Sequence, residues 1–269
     1  MGEIVFIGMG LCSEKDLTLE GIEEAKKAQK VFIELYTSLM PGLNIERLEK
    51  LIGKSIEILT RKDLEDNMHL LINQAKKQRI AILSPGDPFI ATTHIALRIE
   101  AEKLGIRTKV INGVSIITAI PGATGLHSYK FGKSVTLTFP ISDKPSYTVY
   151  EATKENLSRG LHTLILLEID VEKRRYMTIN YAIDLLSKLE LTYQEGVFKE
   201  DRLIVGLARL GCENMVVRAD SLIKLKDYDF GPPPHSLIVP GSLHFMEAEA
   251  LKILASAPEE VLRGVISRQ

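Results

Sequence analysis

The spacing of apolar and polar positions divides the chain into two stretches of different character. Up to Ile111, short apolar runs alternate with amphipathic segments. Ile4–Ile7, Val31–Leu35, Ser55–Leu59, Ile80–Leu83 and Thr108–Ile111 read as strands. Thr18–Lys27, Ile45–Leu51, Asn67–Lys77 and Thr92–Lys103 read as helices. This alternation predicts βαβ units, hence a mostly parallel sheet covered by helices. Thr18 is suited to cap the first helix, and Glu20 in its first turn favours the helix dipole.

After Asn112-Gly113 the pattern changes. A helix-like stretch, Ser115–Ile120, is expected to be interrupted by Pro121-Gly122. Strands then read Val135–Phe139, Leu164–Leu167, Leu203–Leu207, Val216–Arg218 and Leu237–Val239, with helices near Tyr147–Leu157, Tyr176–Leu189 and Phe245–Leu254. The close pair Leu203–Leu207 and Val216–Arg218, joined through Gly211, reads as a hairpin, so this sheet is expected to be mixed. The expectation is an α/β protein of two domains, residues 1–113 with a parallel sheet and residues 114–269 with a mixed one.

Composition narrows the function classes. The chain has 269 residues, 45% of them apolar, with Lys+Arg 34 against Asp+Glu 35. Such a balance lacks the basic surplus of a nucleic-acid binder. The two cysteines, Cys12 and Cys212, give no disulfide framework and no metal spacing. No metal site is expected. No apolar run approaches the roughly 20 residues of a membrane span. A cytoplasmic protein without membrane partners is expected.

Ligands of open α/β sheets bind beyond the carboxyl ends of the strands. Two loops at such positions are unusual. Gly8-Met9-Gly10-Leu11 follows the first strand and begins like a dinucleotide fingerprint, with Glu34 placed as a ribose acid. The third glycine would fall on Ser13, which counts against an NAD-dependent oxidoreductase, the alternative from another enzyme class. Pro85-Gly86-Asp87-Pro88 follows the fourth strand. There Asp87 either accepts hydrogen bonds from a ligand or caps the next helix. Near the end, Gly231-Pro232-Pro233-Pro234 delivers His235 to a strand start. The densest basic cluster, Lys173-Arg174-Arg175, reads as a solvated surface feature.

Several strings together resemble the diphthine synthases, a branch of the tetrapyrrole-methylase-like methyltransferases. They are Phe6-Ile7-Gly8-Met9-Gly10-Leu11, Tyr36-Thr37-Ser38-Leu39, Pro85-Gly86-Asp87-Pro88, Ala91-Thr92-Thr93-His94 and Ser115-Ile116. Gly122-Ala123-Thr124-Gly125-Leu126, Tyr129-Lys130-Phe131-Gly132, Leu161-His162-Thr163 and Pro233-Pro234-His235 complete the set. The glycine–aspartate loop is common to the wider superfamily, whereas the Tyr-Thr-Ser and Ala-Thr-Thr-His strings mark the branch.

The resemblance implies a homodimer that binds S-adenosylmethionine in a cleft between two α/β domains. It also implies methylation, to the trimethylated amine, of a 3-amino-3-carboxypropyl-modified histidine on translation elongation factor 2. Carried over by position, the cofactor contacts are Leu11, Asp87, Ile90, Ser115, Ile116, Leu167, Leu210 and His235. No single catalytic side chain is implied. A tetrapyrrole acceptor is the alternative within the methyltransferases, and an adaptor that only docks a partner is the non-enzymatic one.

Overall fold

A computed structural model describes residues 2–140, 145–171 and 173–266. The chain divides into two compact units, Met1–Ile116 and Ile117–Gln269. Each is taken by itself.

In chain order the first unit contains β1 (Glu3–Gly8), α1 (Leu19–Lys27), β2 (Lys30–Glu34), α2 (Ile45–Ile52) and β3 (Ile56–Leu59). Then come α3 (Arg61–Glu65), α4 (Met68–Ala75), β4 (Arg79–Ser84), α5 (Ile95–Lys103) and β5 (Arg107–Ile111). The strands form a five-stranded sheet in the order β3-β2-β4-β1-β5, every pair parallel. Both faces of the sheet are covered, which is why β1 reads as an unbroken apolar run. Val5 and Ile7 pack with Ala25 of α1 and Leu48 and Ile52 of α2. Ile4 and Phe6 pack on the other face with Leu71 and Ile72 of α4 and Leu97 of α5. Each of the Val, Leu, Ile and Phe side chains among them stabilises by roughly 1.5–3 kcal/mol on burial.

Thr18 caps α1 as its sequence position suggests, its hydroxyl accepting the Gly21 N–H at 3.0 Å. The helix expected from Thr92 begins only at Ile95. Ala91 takes a left-handed φ of 55°. The Thr92 hydroxyl donates to Pro88 O at 2.6 Å and His94 Nδ1 lies 2.9 Å from the same oxygen, so this stretch folds back as a turn.

α6 (Ile116–Thr124) leads into the second unit and runs through Pro121, so the expected interruption does not occur. The proline removes a single donor, and the helix closes beyond it with Gly125 N–H on Pro121 O at 2.8 Å. Next come β6 (Val135–Leu137), α7 (Tyr147–Ser158) and β7 (Thr163–Leu167), then a ribbon of β8 (Ile169–Asp170) and β9 (Arg175–Tyr176). α8 (Ile179–Tyr193), β10 (Leu203–Ala208), β11 (Val216–Ser221), α9 (Leu222–Lys226), β12 (His235–Val239), α10 (Phe245–Leu254) and α11 (Glu259–Leu262) complete it.

The second sheet has the order β11-β10-β12-β7-β6. Only β6–β7 is parallel, so the sheet is mixed. The expected hairpin is β10–β11, with Ala208 opposite Val216. α8 covers the sheet with Ile179, Ala182, Ile183, Leu186 and Leu189, a helical stripe. Tyr176 belongs to β9 and not to this helix. No helix among the described residues is long and apolar enough to cross a membrane.

Candidate functional site

In the first sheet β1 lies between β4 and β5, so the loops that leave their carboxyl ends are neighbours. Gly10 and Gly86 exchange backbone bonds, Gly10 N–H to Gly86 O at 3.2 Å and Gly86 N–H to Gly10 O at 2.7 Å. A Cβ on Gly113 would stand 2.2 Å from Gly86 O and 2.7 Å from the Gly8 carbonyl carbon. A Cβ on Gly8 would stand 2.4 Å from Gly113 N. Only residues without a side chain let the three loops meet backbone to backbone.

Asp87 is buried at this floor. Its Oδ1 accepts the Phe89 N–H at 3.0 Å and its Oδ2 accepts Asn112 Nδ2 at 2.8 Å. With His94 in the cap position of α5, Asp87 is not the cap of that helix. It ties the loop after β4 to the loop after β5 and keeps lone pairs for a further donor. Ile90 follows it, more than a third exposed, and Ser115 is buried just before Ile116 opens α6. Asn112 escaped sequence reading. Its signal was an Asn-Gly step directly after a strand end.

The glycine turn does not have the form of a phosphate cradle. The amides of Leu11, Cys12 and Ser13 converge on Asp16 Oδ2 at 3.2, 2.6 and 3.2 Å. Such a nest of N–H groups is where an anion would sit, and the chain fills it with its own carboxylate. At Leu11 only the carbonyl and side chain are therefore left to face a ligand. Glu34 is fully buried, with Oε2 accepting the amides of Tyr36 and Thr37 at 3.2 Å each, so it is not presented to a ribose. Both observations weigh against the dinucleotide alternative.

In the second unit, Leu167, Leu210 and His235 come to one end of the sheet. His235 pairs with Ala208, two residues before Leu210, and the adjacent pair is Ser236 with Leu166. Arg209, which sequence reading missed, fixes this corner. It is buried with φ 50°. It donates to the carbonyls of Asn214 and Phe230, at 2.9 and 2.8 Å, and also to that of Pro232. The proline loop is thus clamped to the end of β10, directly before His235.

His235 Nδ1 accepts the Ile179 N–H at 3.2 Å, which places the ring proton on Nε2. Nε2 is buried without a hydrogen-bond partner among the described residues. Burial pushes the imidazole down to about 4, and the Arg209 charge adds to this against the pull of the Pro232 and Gly231 carbonyls. The imidazole is therefore held neutral beside those carbonyls. Another polar cluster of this unit centres on buried Glu247, which His162 and Lys130 both reach.

Residues 3–225 match the tetrapyrrole (corrin/porphyrin) methylases. Over 268 residues the chain is 46% identical to the diphthine synthase of Methanosarcina mazei, covering 97% of this chain and 99% of that one. It is 45% identical over 253 residues to the diphthine synthase of Methanocaldococcus jannaschii, covering 93% and 98%. A diphthine synthase crystal structure superposes with a TM-score of 0.89 at 40% identity, covering 97% of this chain and 99% of that one. With its two α/β units and near full-length similarity, the chain belongs to the diphthine synthases within the tetrapyrrole methylase family, and is an S-adenosylmethionine-dependent methyltransferase.

Proposed function

We propose that this enzyme transfers methyl groups to the amine of the 3-amino-3-carboxypropyl arm on a modified histidine of translation elongation factor 2, continuing to the trimethylated product, diphthine. The carrying observation is the glycine floor with Asp87 locked beside it. Methyl transfer is an in-line displacement and depends on alignment and water exclusion more than on an acid or base. A backbone floor offers that. The acceptor is inferred from the relatives, which are diphthine synthases.

S-adenosylmethionine supplies an activated methyl group on a sulfonium. In the first unit the proposed contacts are Leu11, Asp87, Ile90, Ser115 and Ile116. In the second they are Leu167, Leu210 and His235. One feature of the first unit fits such a ligand: the Asp87 carboxylate with spare acceptor capacity. The two compact units are proposed as the two domains, and the working form as a cytoplasmic homodimer.

The test uses elongation factor 2 bearing the unmethylated arm. It is incubated with the protein and S-adenosylmethionine, and the modified peptide is weighed. Three added methyls on that histidine are expected. No mass change, together with methylation of a porphyrinoid precursor, would move the enzyme to the tetrapyrrole alternative.

A further inference from the structure

Glu34 and His94 stand at the strings that mark the branch, yet neither belongs to the glycine floor. Glu34 ends β2 and is fully buried. Its Oε2 receives the Tyr36 and Thr37 amides, and its Oε1 receives the Thr37 hydroxyl at 2.7 Å. His94 is 1% exposed. Its Nδ1 faces the Pro88 carbonyl at 2.9 Å, and a carbonyl only accepts, so Nδ1 carries a proton. The other nitrogen, Nε2, lies 3.8 Å from Glu34 Oε1 and has no hydrogen-bond partner among the described residues.

Nε2 and Oε1 face each other across 3.8 Å in a buried site, where a proton on either side would relieve the opposition of two acceptors. A bare Nε2 facing a carboxylate would be two acceptors opposed in a dry interior. With one proton, either the carboxyl donates to the imidazole or an imidazolium meets a carboxylate. Burial pushes Glu34 up to about 7, against hydrogen bonds from Thr37, Tyr36 and Ser84, and burial also lowers His94. Around the pair lie Ser84 of β4, the Tyr36 ring edge-on to His94 at 6.4 Å, and Arg61 and Glu65 of α3. Arg61 lies over the Tyr36 ring at 5.4 Å, and Glu65 accepts the Thr93 hydroxyl at 2.9 Å.

We propose that Glu34 and His94 share a single proton and act as the positioning pair that holds the Pro88–Ile90 backbone, beside Asp87, in its cofactor-binding form. The proposal rests on reading the Asp87 loop as part of the S-adenosylmethionine site. Loss of the shared proton to solvent leaves carboxylate against bare Nε2. The ring is then repelled, and its bond to Pro88 O weakens. Glu34→Gln is the discriminating variant. Its amide donates to Nε2 with no proton to lose, while its oxygen still accepts the Tyr36 and Thr37 amides.

The experiment measures S-adenosylmethionine affinity by calorimetry from pH 6 to pH 9 for the wild type, Glu34→Gln, His94→Ala and Asp87→Ala. Wild-type affinity is expected to fall by at least about fivefold over this range, while that of Glu34→Gln stays within about twofold of its own value at pH 6. His94→Ala should bind weakly throughout. A flat wild-type profile, or one matched by Glu34→Gln, overturns the shared proton. If Asp87→Ala binds as the wild type does, the reading of the site fails instead. Should Glu34→Gln not fold, nitrogen NMR of histidine-labelled wild type decides: His94 shifts must move between pH 6 and pH 9, and constant shifts overturn the proposal.

Discussion

Asn112 donates from its side-chain amide to Oδ2 of Asp87 across 2.8 Å, joining loops that follow two strands with β1 between them. The carboxylate's other oxygen takes the Phe89 N–H. A charged acceptor with two protein donors has its direction fixed before any ligand arrives. Hydrogen bonds to charged groups contribute about 1.5–3 kcal/mol each. Asp87→Ala should therefore weaken S-adenosylmethionine binding by roughly tenfold or more, and Asn112→Ala by less, since Asp87 survives there without its guide. Both variants should stay folded, because Asn112 is exposed and Asp87 caps no helix in the first unit. Calorimetric titration beside a thermal melt checks this, and unchanged affinity in Asp87→Ala would contradict the assignment.

Two glycine substitutions should diverge in sign. At Gly113 a Cβ meets Gly86 O at 2.2 Å, a backbone atom that cannot yield without moving the floor. Gly113→Ala should cost about 3 kcal/mol or more, beyond ordinary overpacking, and abolish cofactor binding. At Gly122, inside α6, nothing lies within 4 Å of a Cβ. Gly122→Ala should stabilise the fold by about 0.5–1 kcal/mol through helix propensity. Urea denaturation of the two proteins gives both signs in one experiment.

How much of this was legible in the sequence depended on the range of the interaction. The parallel sense of the first sheet followed from local apolar runs, because its central strands β1, β2 and β4 are buried along nearly their whole length. α3 was missed because Arg61–Glu65 has no apolar stripe; it is held by a reciprocal cap between Thr60 and Asp63. The start of α5 was misplaced because the Thr92 and His94 side chains return to Pro88 O, a contact that propensity does not encode. In the site, Asp87 could be named from its loop. Its partner Asn112 could not, since only the placement of β1 between β4 and β5 makes them neighbours. The incomplete glycine pattern had a cause beyond a missing third glycine: Asp16 occupies the amides that a phosphate would need.

His235 predicts a stability change on the acid side. Burial holds the imidazole neutral down to about 4, whereas the unfolded side chain takes up its proton near 6.5. Between those values the unfolded state binds more protons, so stability falls as the pH drops from about 6.5 to about 4. The loss from this group is on the order of 3 kcal/mol. Glutamine can still accept the Ile179 N–H but does not titrate. The gap in unfolding free energy between the wild type and His235→Gln should therefore change across that window in favour of the variant. A pH-independent gap would show that the ring is not buried neutral.

Glu247 predicts the opposite kind of titration. Its carboxylate is buried in the second unit, reached by His162 Nε2 at 3.0 Å, by Lys130, and by the amides of His127 and His244 at 2.8 Å each. The Gly241 N–H occupies His162 Nδ1 at 3.0 Å, so Nε2 carries the proton that points at Glu247. Burial alone would raise this carboxyl, but the bonds from His162, Lys130 and the two amides outweigh it and hold the carboxyl well below the usual range. A depressed carboxylate contributes stability that is complete above its ordinary value of 4.5 and is lost as the pH falls through the lower folded value. Glu247→Gln leaves Lys130 without its counter-charge and should cost about 3–5 kcal/mol near neutrality. As the pH falls below 4.5, the wild type increasingly loses this advantage. The stability gap between the two proteins should then narrow, and urea midpoints between pH 7 and pH 3 measure it. A gap of constant size would mean that the cluster stabilises by packing and not by its charge.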